Sequence, residues 1–106
     1  MTVKRLDDLE LAAGSPASVA VRVLKRVEDI ELKVLDVEPN GSSPVHTHSH
    51  GHEGVVLAGS GALRLTDRSE LLSPGDAFSI DPNEPHAIEC RGGQQLRLVC
   101  LDCFID

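Results

Sequence analysis

Histidine is concentrated in one short stretch of this 106-residue chain, at alternate positions that share one face of an extended strand. The five histidines are His46, His48, His50, His52 and His86. Imidazole nitrogens are common ligands of divalent transition metals, so this clustering points to a metal site. A straight strand would separate His46 from His52 by about 20 Å, too far for both to bind one ion. A single site therefore requires the chain to turn between His48 and His52.

The turn assigns each histidine an expected position. Ser49-His50-Gly51 is suitable, because Gly51 can adopt a positive φ. His46 and His48 would then face one side of a strand, and His52 would return beside them on the next. His50 would be exposed at the turn tip. His86 would face this hairpin across a barrel interior and supply a fourth ligand. A solvent-exposed metal-scavenging loop, or no metal role, are the alternatives.

The elements that must position these residues are short strands. Apolar residues alternate with others from Val19 onward, and turn residues recur about every 8 to 12 positions. A tight hairpin is expected between Gly59 and Gly61. The pattern predicts about nine or ten strands without an amphipathic helix, as in an all-β sandwich or barrel. We expect one domain over residues 1–106, with an N-terminal arm at 1–16 and the barrel at 17–105.

The first histidine segment resembles a motif of the cupin superfamily, G-x5-H-x-H-x3,4-E-x6-G. Gly41, His46, His48 and Gly59 match it, with four rather than five residues between Gly41 and His46. The resemblance implies a double-stranded β-helix, or jelly-roll, barrel with a metal ion inside.

The segment around His86 is similar to the second cupin motif, G-x5-P-x-G-x2-H-x3-N. Gly75 and His86 stand at the family spacing, whereas Asp81, Asn83 and Cys90 replace the family's Pro, Gly and Asn. The two motifs together extend the resemblance over nearly the whole chain, from Val19 to about Phe104.

The third ligand departs from the family pattern. Counting back from Gly59 leads to His52 where the family has Glu, and Glu53 follows it. Neighbouring residues of a strand face opposite sides, so only one of the two can point inward. The resemblance to small cupins with all-histidine sites implies a four-histidine centre of His46, His48, His52 and His86. Glu53 is the alternative ligand, or a hydrogen-bond partner of a ligand imidazole.

The expected cofactor is one divalent transition metal per chain: Mn, Fe, Ni, Zn or Cu. Four ligands of an octahedral ion leave two positions for water, O₂ or substrate, so the centre would be open to catalysis. The chain has two Phe and no Trp or Tyr, so the metal would be the strongest reagent in an aliphatic pocket. The residues expected near that pocket are Phe78, Cys100, Arg64, Leu98 and Phe104.

The predicted function is that of a small metal-dependent oxygenase, similar to a dioxygenase, acting on a small organic substrate. The alternatives are a non-enzymatic small-molecule or metal sensor, and a metal-dependent isomerase or lyase. Cys100 and Cys103 form a C-x-x-C pair, but residues three apart on a strand face opposite sides, so we expect reduced thiols rather than a disulfide.

Charge and composition bear on the partners. The formal net charge is −7 and the isoelectric point is near 5.1, which argues against binding to nucleic acid or to anionic membrane surfaces. No apolar run approaches the length of a membrane span, and no export signal opens the chain, so we expect a cytoplasmic protein. We also expect a homodimer, in which the N-terminal segment adds a strand to a neighbour's sheet.

Overall fold

Antiparallel strands dominate the computed structural model, which describes residues 1–104. The eight strands of this part of the chain are β1 (Val19–Val27), β2 (Ile30–Val37), β3 (Gly51–Ala58), β4 (Gly61–Arg64), β5 (Ser69–Leu72), β6 (Ala77–Ile80), β7 (Ala87–Cys90) and β8 (Leu96–Cys103). One short 3₁₀ helix spans Leu6–Asp8. The all-β fold is confirmed. The strands are fewer than predicted, partly because residues 45–48 make only an isolated bridge at His46.

Two sheets enclose the interior of the molecule. The first has the order β1-β2-β8-β3-β6 and the second the order β5-β4-β7. β8 lies between β2 and β3 and pairs with both, although it is the last strand of the sequence. This return of the final strand to the middle of a sheet is consistent with a jelly-roll barrel.

The predicted hairpin between Gly59 and Gly61 is wrong, because the chain crosses there from one sheet to the other. β4 follows β3 directly but pairs with β5 and β7. Gly59 has a φ of 82°, and a Cβ atom there would lie 2.3 Å from the Gln95 carbonyl oxygen. Only glycine fits this sharp corner without strain or a clash.

The core lies between the sheets and uses the inward positions of alternating strands. In β3 the buried positions are His52, Gly54 and Val56, and in β8 they are Leu96, Leu98, Cys100 and Asp102. The apolar members of these sets pack with Leu63, Leu72 and Ile88 from the opposite sheet. His52 and Asp102 thus lie at one end of the same inward face that builds the apolar core.

The N-terminal arm lies along β1 of its own chain. The Ala12 amide donates to the Val21 carbonyl over 2.7 Å, and Arg22 Nε donates to the Leu9 carbonyl. These bonds cover part of an otherwise open sheet edge. The first strand begins at Val19, and residue 105 of the predicted barrel lies outside the described residues. No helix within residues 1–104 is long and apolar enough to span a membrane.

Candidate metal centre

His46 and His86 are brought together by direct strand pairing. They form an isolated antiparallel bridge, in which the His46 amide donates to the His86 carbonyl over 3.0 Å and the reverse bond measures 3.1 Å. Their ring centroids are 4.3 Å apart. His86 therefore reaches His46 by direct main-chain pairing and not across the barrel interior as predicted, whereas it does face His52, which belongs to the opposite sheet.

The chain folds back between His48 and His52, as a single site requires. The Asn83 amide donates to the His48 carbonyl over 2.7 Å, which anchors the start of the turn. Gly51 begins β3 without a positive φ, so that part of the prediction is wrong. The turn brings the Nε2 atoms of His48 and His52 to 2.5 Å from one another.

All five histidines belong to one cluster made of two overlapping groups. His46, His48 and His86 form the first group, and His48, His50 and His52 form the second. Within each group the candidate ligand nitrogens all lie within 4.8 Å of one another. The rings of His52 and His86 are 5.6 Å apart, which connects the groups a second time. Each of the four predicted ligands thus belongs to at least one group, and His48 belongs to both.

His50 is closer to this cluster than predicted. Its ring stacks on that of His48 at a centroid distance of 4.2 Å, and only 17% of its side chain is exposed. Its Nε2 atom lies 3.6 Å from Asp102 Oδ2. The expected exposed position at a turn tip is wrong, because the turn folds inward over the end of β8.

Each of the four predicted ligands has its Nδ1 atom next to an oxygen. In three of them the acceptor is a main-chain carbonyl oxygen. Nδ1 of His46 lies 2.9 Å from the Pro44 oxygen, that of His48 lies 2.6 Å from the His50 oxygen, and that of His86 lies 2.8 Å from the Glu84 oxygen. The Asp102 carboxylate serves His52. A carbonyl or an ionised carboxylate only accepts, so Nδ1 carries the hydrogen in each ring. The Nε2 atoms therefore carry the lone pairs through which imidazole binds a metal, and those of His48 and His52 face one another at 2.5 Å.

Asp102 is the functional residue that the sequence analysis missed. It is 1% exposed, is the cross-strand partner of His52, and pairs with the Lys33 ammonium at 2.6 Å. A signal was available, because Asp102 continues the inward alternation of Leu98 and Cys100 on β8. A charged residue at such a position needs a partner or a function.

Burial favours the neutral form of three histidines of the cluster, His48, His50 and His86. Desolvation, followed by the neighbouring His52, lowers the pKa of His48 to about 4. Burial also lowers the pKa values of His50 and His86. For Asp102 burial opposes ionisation, but the hydrogen bond from His52 and the ammonium of Lys33 outweigh it and lower its pKa to about 2. The site therefore combines three imidazoles that resist protonation with an ionised carboxylate.

Glu53 lies on the other side of β3. Its carboxylate accepts a hydrogen bond from the Ser79 hydroxyl on the exposed face of the sheet. The reading of Glu53 as an alternative ligand, or as a partner of a ligand imidazole, is wrong, because His52 takes the inward position. Asp102 provides the carboxylate contact that was expected of Glu53.

Two of the five residues predicted for the pocket line the observed cavity. Phe78 and Cys100 line the cavity beside the histidines. Leu98 lies deeper, fully buried in the apolar core. The prediction for Arg64 is wrong, because its side chain lies on the surface of β4, where Nε is 3.8 Å from Glu89 Oε1. Phe104 is outside the cavity, where its ring packs between His50 and the Arg26 guanidinium.

A cavity of about 130 Å³ adjoins the cluster. His46, His52 and His86 line it together with Lys33, and its apolar wall includes Val21, Leu35, Phe78 and Ile88. A larger, shallower groove of about 380 Å³ beside Glu53 contains none of the histidines. The enclosed cavity is the one in which a ligand would contact the imidazoles.

The cysteines take no part in the imidazole cluster. Cys100 is buried and Cys103 exposed, as expected for residues three apart on β8, and both are free thiols. Burial raises the pKa of the Cys100 thiol to about 12, so this cavity-lining group is protonated. The donor set is therefore purely imidazole, which suits divalent transition metals better than the oxygen-seeking Mg²⁺ or Ca²⁺.

The two antiparallel sheets and the histidine cluster together indicate a small jelly-roll protein with a candidate metal centre. The chain belongs to the cupin family: the family model described as "Cupin domain" matches residues 33–102. The sequence-based assignment to the cupin superfamily, and with it the jelly-roll fold, is confirmed.

Several known proteins are similar to this chain. The solved structure of the polyketide cyclase RemF from Streptomyces resistomycificus is 32% identical, with a TM-score of 0.84, covering 99% of this chain and 80% of that one. A predicted oxalate decarboxylase from Thermotoga maritima shares the fold, with a TM-score of 0.82 at 19% identity, covering 98% of this chain and 100% of that one.

Similarity to curated proteins is more local. Auxin-binding protein T85 from Nicotiana tabacum is 37% identical over 71 residues, which is 65% of this chain and 38% of that protein. The chain thus spans less than half the length of the curated relatives it matches.

Proposed function

We propose that this chain is a metal-dependent cupin enzyme that binds one divalent transition metal at His46, His48, His52 and His86 and acts on a small organic substrate. The observation that carries the proposal is the orientation of the four imidazoles. Each has Nδ1 bonded to an oxygen and Nε2 left with a lone pair, in a cluster at the mouth of a cavity.

The protein's own contribution is positioning and shielding. Asp102 holds the His52 ring, and the His46–His86 bridge fixes two rings through the main chain. The aliphatic wall of the cavity keeps bulk water from the reacting atoms. A bound metal would supply Lewis-acid polarisation of a substrate oxygen or activation of O₂. No Tyr is present in the chain to act as a general acid or base.

Two reaction classes follow from this site. The oxygenase predicted from the sequence is one, in which the metal would bring substrate and O₂ together. The 32% identity with the polyketide cyclase favours a second, a redox-neutral ring closure through a polarised carbonyl group. This second class is related to the isomerase or lyase alternative, since none of these reactions consumes O₂.

Metal content tests the proposed centre. In protein prepared without a nickel column, elemental analysis should find about one transition-metal ion per chain. His86→Ala and His52→Ala should each lose most of it, because each removes one of four ligands. His50→Ala is the matched control and should keep the ion. A wild-type protein that binds no metal, or a loss in His50→Ala equal to that in His86→Ala, would contradict the assignment.

Oxygen uptake separates the reaction classes. The metal-loaded protein is incubated with a panel of 1,3-dicarbonyl compounds while O₂ and substrate are measured together. Consumption of O₂ with substrate indicates an oxygenase, whereas O₂-independent conversion supports the redox-neutral class. Saturable binding without conversion of any compound would favour the non-enzymatic sensor.

The homodimer and the cytoplasmic location remain predictions. Sedimentation equilibrium should give a mass twice the 11.3 kDa of one chain. A monomer at micromolar concentration would contradict the dimer.

A further inference from the structure

Lys33 is a largely buried charge that takes part in the proposed metal centre through its ion pair with Asp102. It occupies an inward position on β2, in alternation with Leu35 and Val37, and all three line the cavity. Its side chain is 17% exposed. A charged residue at an apolar inward position is costly, so its retention calls for a specific role.

The ion pair with Asp102 uses only part of the hydrogen-bond donor capacity of Lys33. The ammonium lies 2.6 Å from Asp102 Oδ2, but an ammonium has three N–H donors. Asp102 is its one acidic partner among residues 1–104. The Asp102 carboxylate also accepts a hydrogen bond from His52 Nδ1, so its negative charge is shared between Lys33 and His52. Donor capacity therefore remains at the cavity wall.

The other groups around the cavity favour an anionic ligand. The residue opposite Lys33 across the β2–β8 pair is the buried Cys100, which has no carboxylate to offer the ammonium. Lys33 is the one Lys or Arg among the residues that line the cavity. A metal held by neutral imidazoles keeps its full positive charge. A ligand oxyanion would thus meet a cation on each side.

The size of the cavity limits the ligand. An apolar cavity of about 150 Å³ accommodates benzene, and the cavity here measures about 130 Å³. The enclosed part of a ligand is therefore restricted to about six non-hydrogen atoms.

We propose that Lys33 is the anion-recognition residue of this cavity, and that the ligand is a small carboxylate or enolate whose oxyanion binds the Lys33 ammonium while a neighbouring oxygen faces the histidines. This inference rests on the proposed metal centre and names the class of ligand that the centre receives.

Ligand binding to the cobalt-loaded protein tests the assignment, with pyruvate as the probe and methyl pyruvate as its neutral analogue. Binding is followed by the visible absorption of Co²⁺, and cobalt content is measured separately. In Lys33→Met the dissociation constant for pyruvate should rise between about ten- and a hundredfold, the loss of one charge-assisted hydrogen bond. The constant for methyl pyruvate should change less than threefold.

Lys25→Met is the matched control, because it removes the same charge from an exposed position on β1. It should bind pyruvate like the wild type. Since Lys33→Met leaves Asp102 without its ammonium partner, Lys33→Gln is measured in parallel; it keeps a donor for Asp102 and loses the charge. It should show the same selective loss for pyruvate.

The possible outcomes distinguish a failure of the Lys33 assignment from a failure of the proposed metal centre. A wild-type protein that takes up no cobalt would overturn the metal centre. Normal cobalt content with equal pyruvate binding in wild type, Lys33→Met and Lys33→Gln would overturn the role of Lys33 alone. Equal weakening of pyruvate and its methyl ester would also overturn it, because a purely structural lysine would affect both.

Discussion

At the residue scale, the orientation of the imidazoles depends mainly on the main chain. Three of the four predicted ligands bond their Nδ1 atoms to carbonyl oxygens two residues away in sequence. These bonds form as soon as the local backbone is in place. His52 is different, because its acceptor is Asp102, fifty residues further along the chain. Its orientation therefore depends on the pairing of β3 with β8.

Removing the charge of Asp102 should weaken metal binding. We expect Asp102→Asn to raise the metal dissociation constant about 10- to 100-fold, the usual effect of losing a carboxylate that holds a ligand imidazole. Competition with a chromophoric chelator measures this constant. Glu53→Gln, next to His52 in sequence but on the outer face, is the control and should bind metal normally. Equal affinities of Asp102→Asn and wild type would contradict the role given to Asp102.

The lowered pKa of His48 predicts how stability depends on pH. In metal-free protein this pKa is about 4, against 6.5 for the model group. Between these values the unfolded chain binds a proton that the folded chain does not, so the free energy of unfolding should fall as pH decreases from 6.5 towards 4. Asp102, with a pKa near 2, loses its stabilising charge only at lower pH, below its ordinary value of 3.8.

Urea unfolding in the presence of EDTA at pH 7, 5.5 and 4.5 measures this dependence. His48→Asn should show a smaller loss of stability over the same interval, since it removes one of the groups with a lowered pKa. A free energy of unfolding that is constant from pH 7 to 4.5 would be inconsistent with neutral, buried histidines.

At the element scale, β3 contributes both to the histidine cluster and to the cavity wall. Its inward residues are His52, Gly54 and Val56, in that order from the site to the core. Gly54 pairs with Phe78 of β6, and the Phe78 ring lies over the space where a Cβ atom would be. The missing side chain at Gly54 therefore makes room for the aromatic wall of the cavity.

Adding a methyl group at Gly54 should force that wall to move. A Cβ atom there would lie 2.3 Å from Phe78 Cζ, so Gly54→Ala should lower the free energy of unfolding by about 1–3 kcal/mol. Gly93→Ala is the control, because no heavy atom lies within 4 Å of its Cβ position; its effect should stay within about 0.5 kcal/mol. Equal stability of the two variants in chemical denaturation would show that Phe78 has room to shift.

At the scale of the whole molecule, the histidine cluster draws on both sheets. His52 belongs to the five-stranded sheet, whereas His86 leads into β7 of the three-stranded sheet. An ion bound by both would link the sheets at one end of the barrel. Any ligand that binds only the folded state stabilises it by mass action.

Metal should therefore raise the thermal stability of the whole domain. At a free concentration one hundred times the dissociation constant, the gain is about 2.7 kcal/mol. For a chain of this length that corresponds to an increase in Tm of roughly 10–20 °C. Calorimetry with added metal, and after EDTA, measures the change. In the double variant His48→Ala/His86→Ala, metal should raise the Tm hardly at all. An increase in Tm equal to that of the wild type would show that the metal binds elsewhere on the chain.

Much of the molecule could be predicted from the sequence alone. Period-two alternation and regular turn residues identified an antiparallel β fold, because side chains of a strand face alternate sides whatever the strand pairs with. The same rule allowed only one of His52 and Glu53 to face inward, and the resemblance to all-histidine cupins favoured His52, which the structure places on the inward face. The clustered histidines were sufficient to propose a metal site, and their spacing was sufficient to require a turn.

Only the tertiary structure decided which distant residues complete the site. His86 is placed by its bridge to His46, Asp102 by its register opposite His52, and Lys33 by the pairing of β2 with β8. Each of these contacts joins residues at least forty positions apart. Strand pairing of this kind depends on topology and on packing of the whole core, which local alternation does not specify. The sequence therefore determined the fold class and indicated the candidate imidazole ligands, whereas the tertiary structure determined which carboxylate and which ammonium lie next to them.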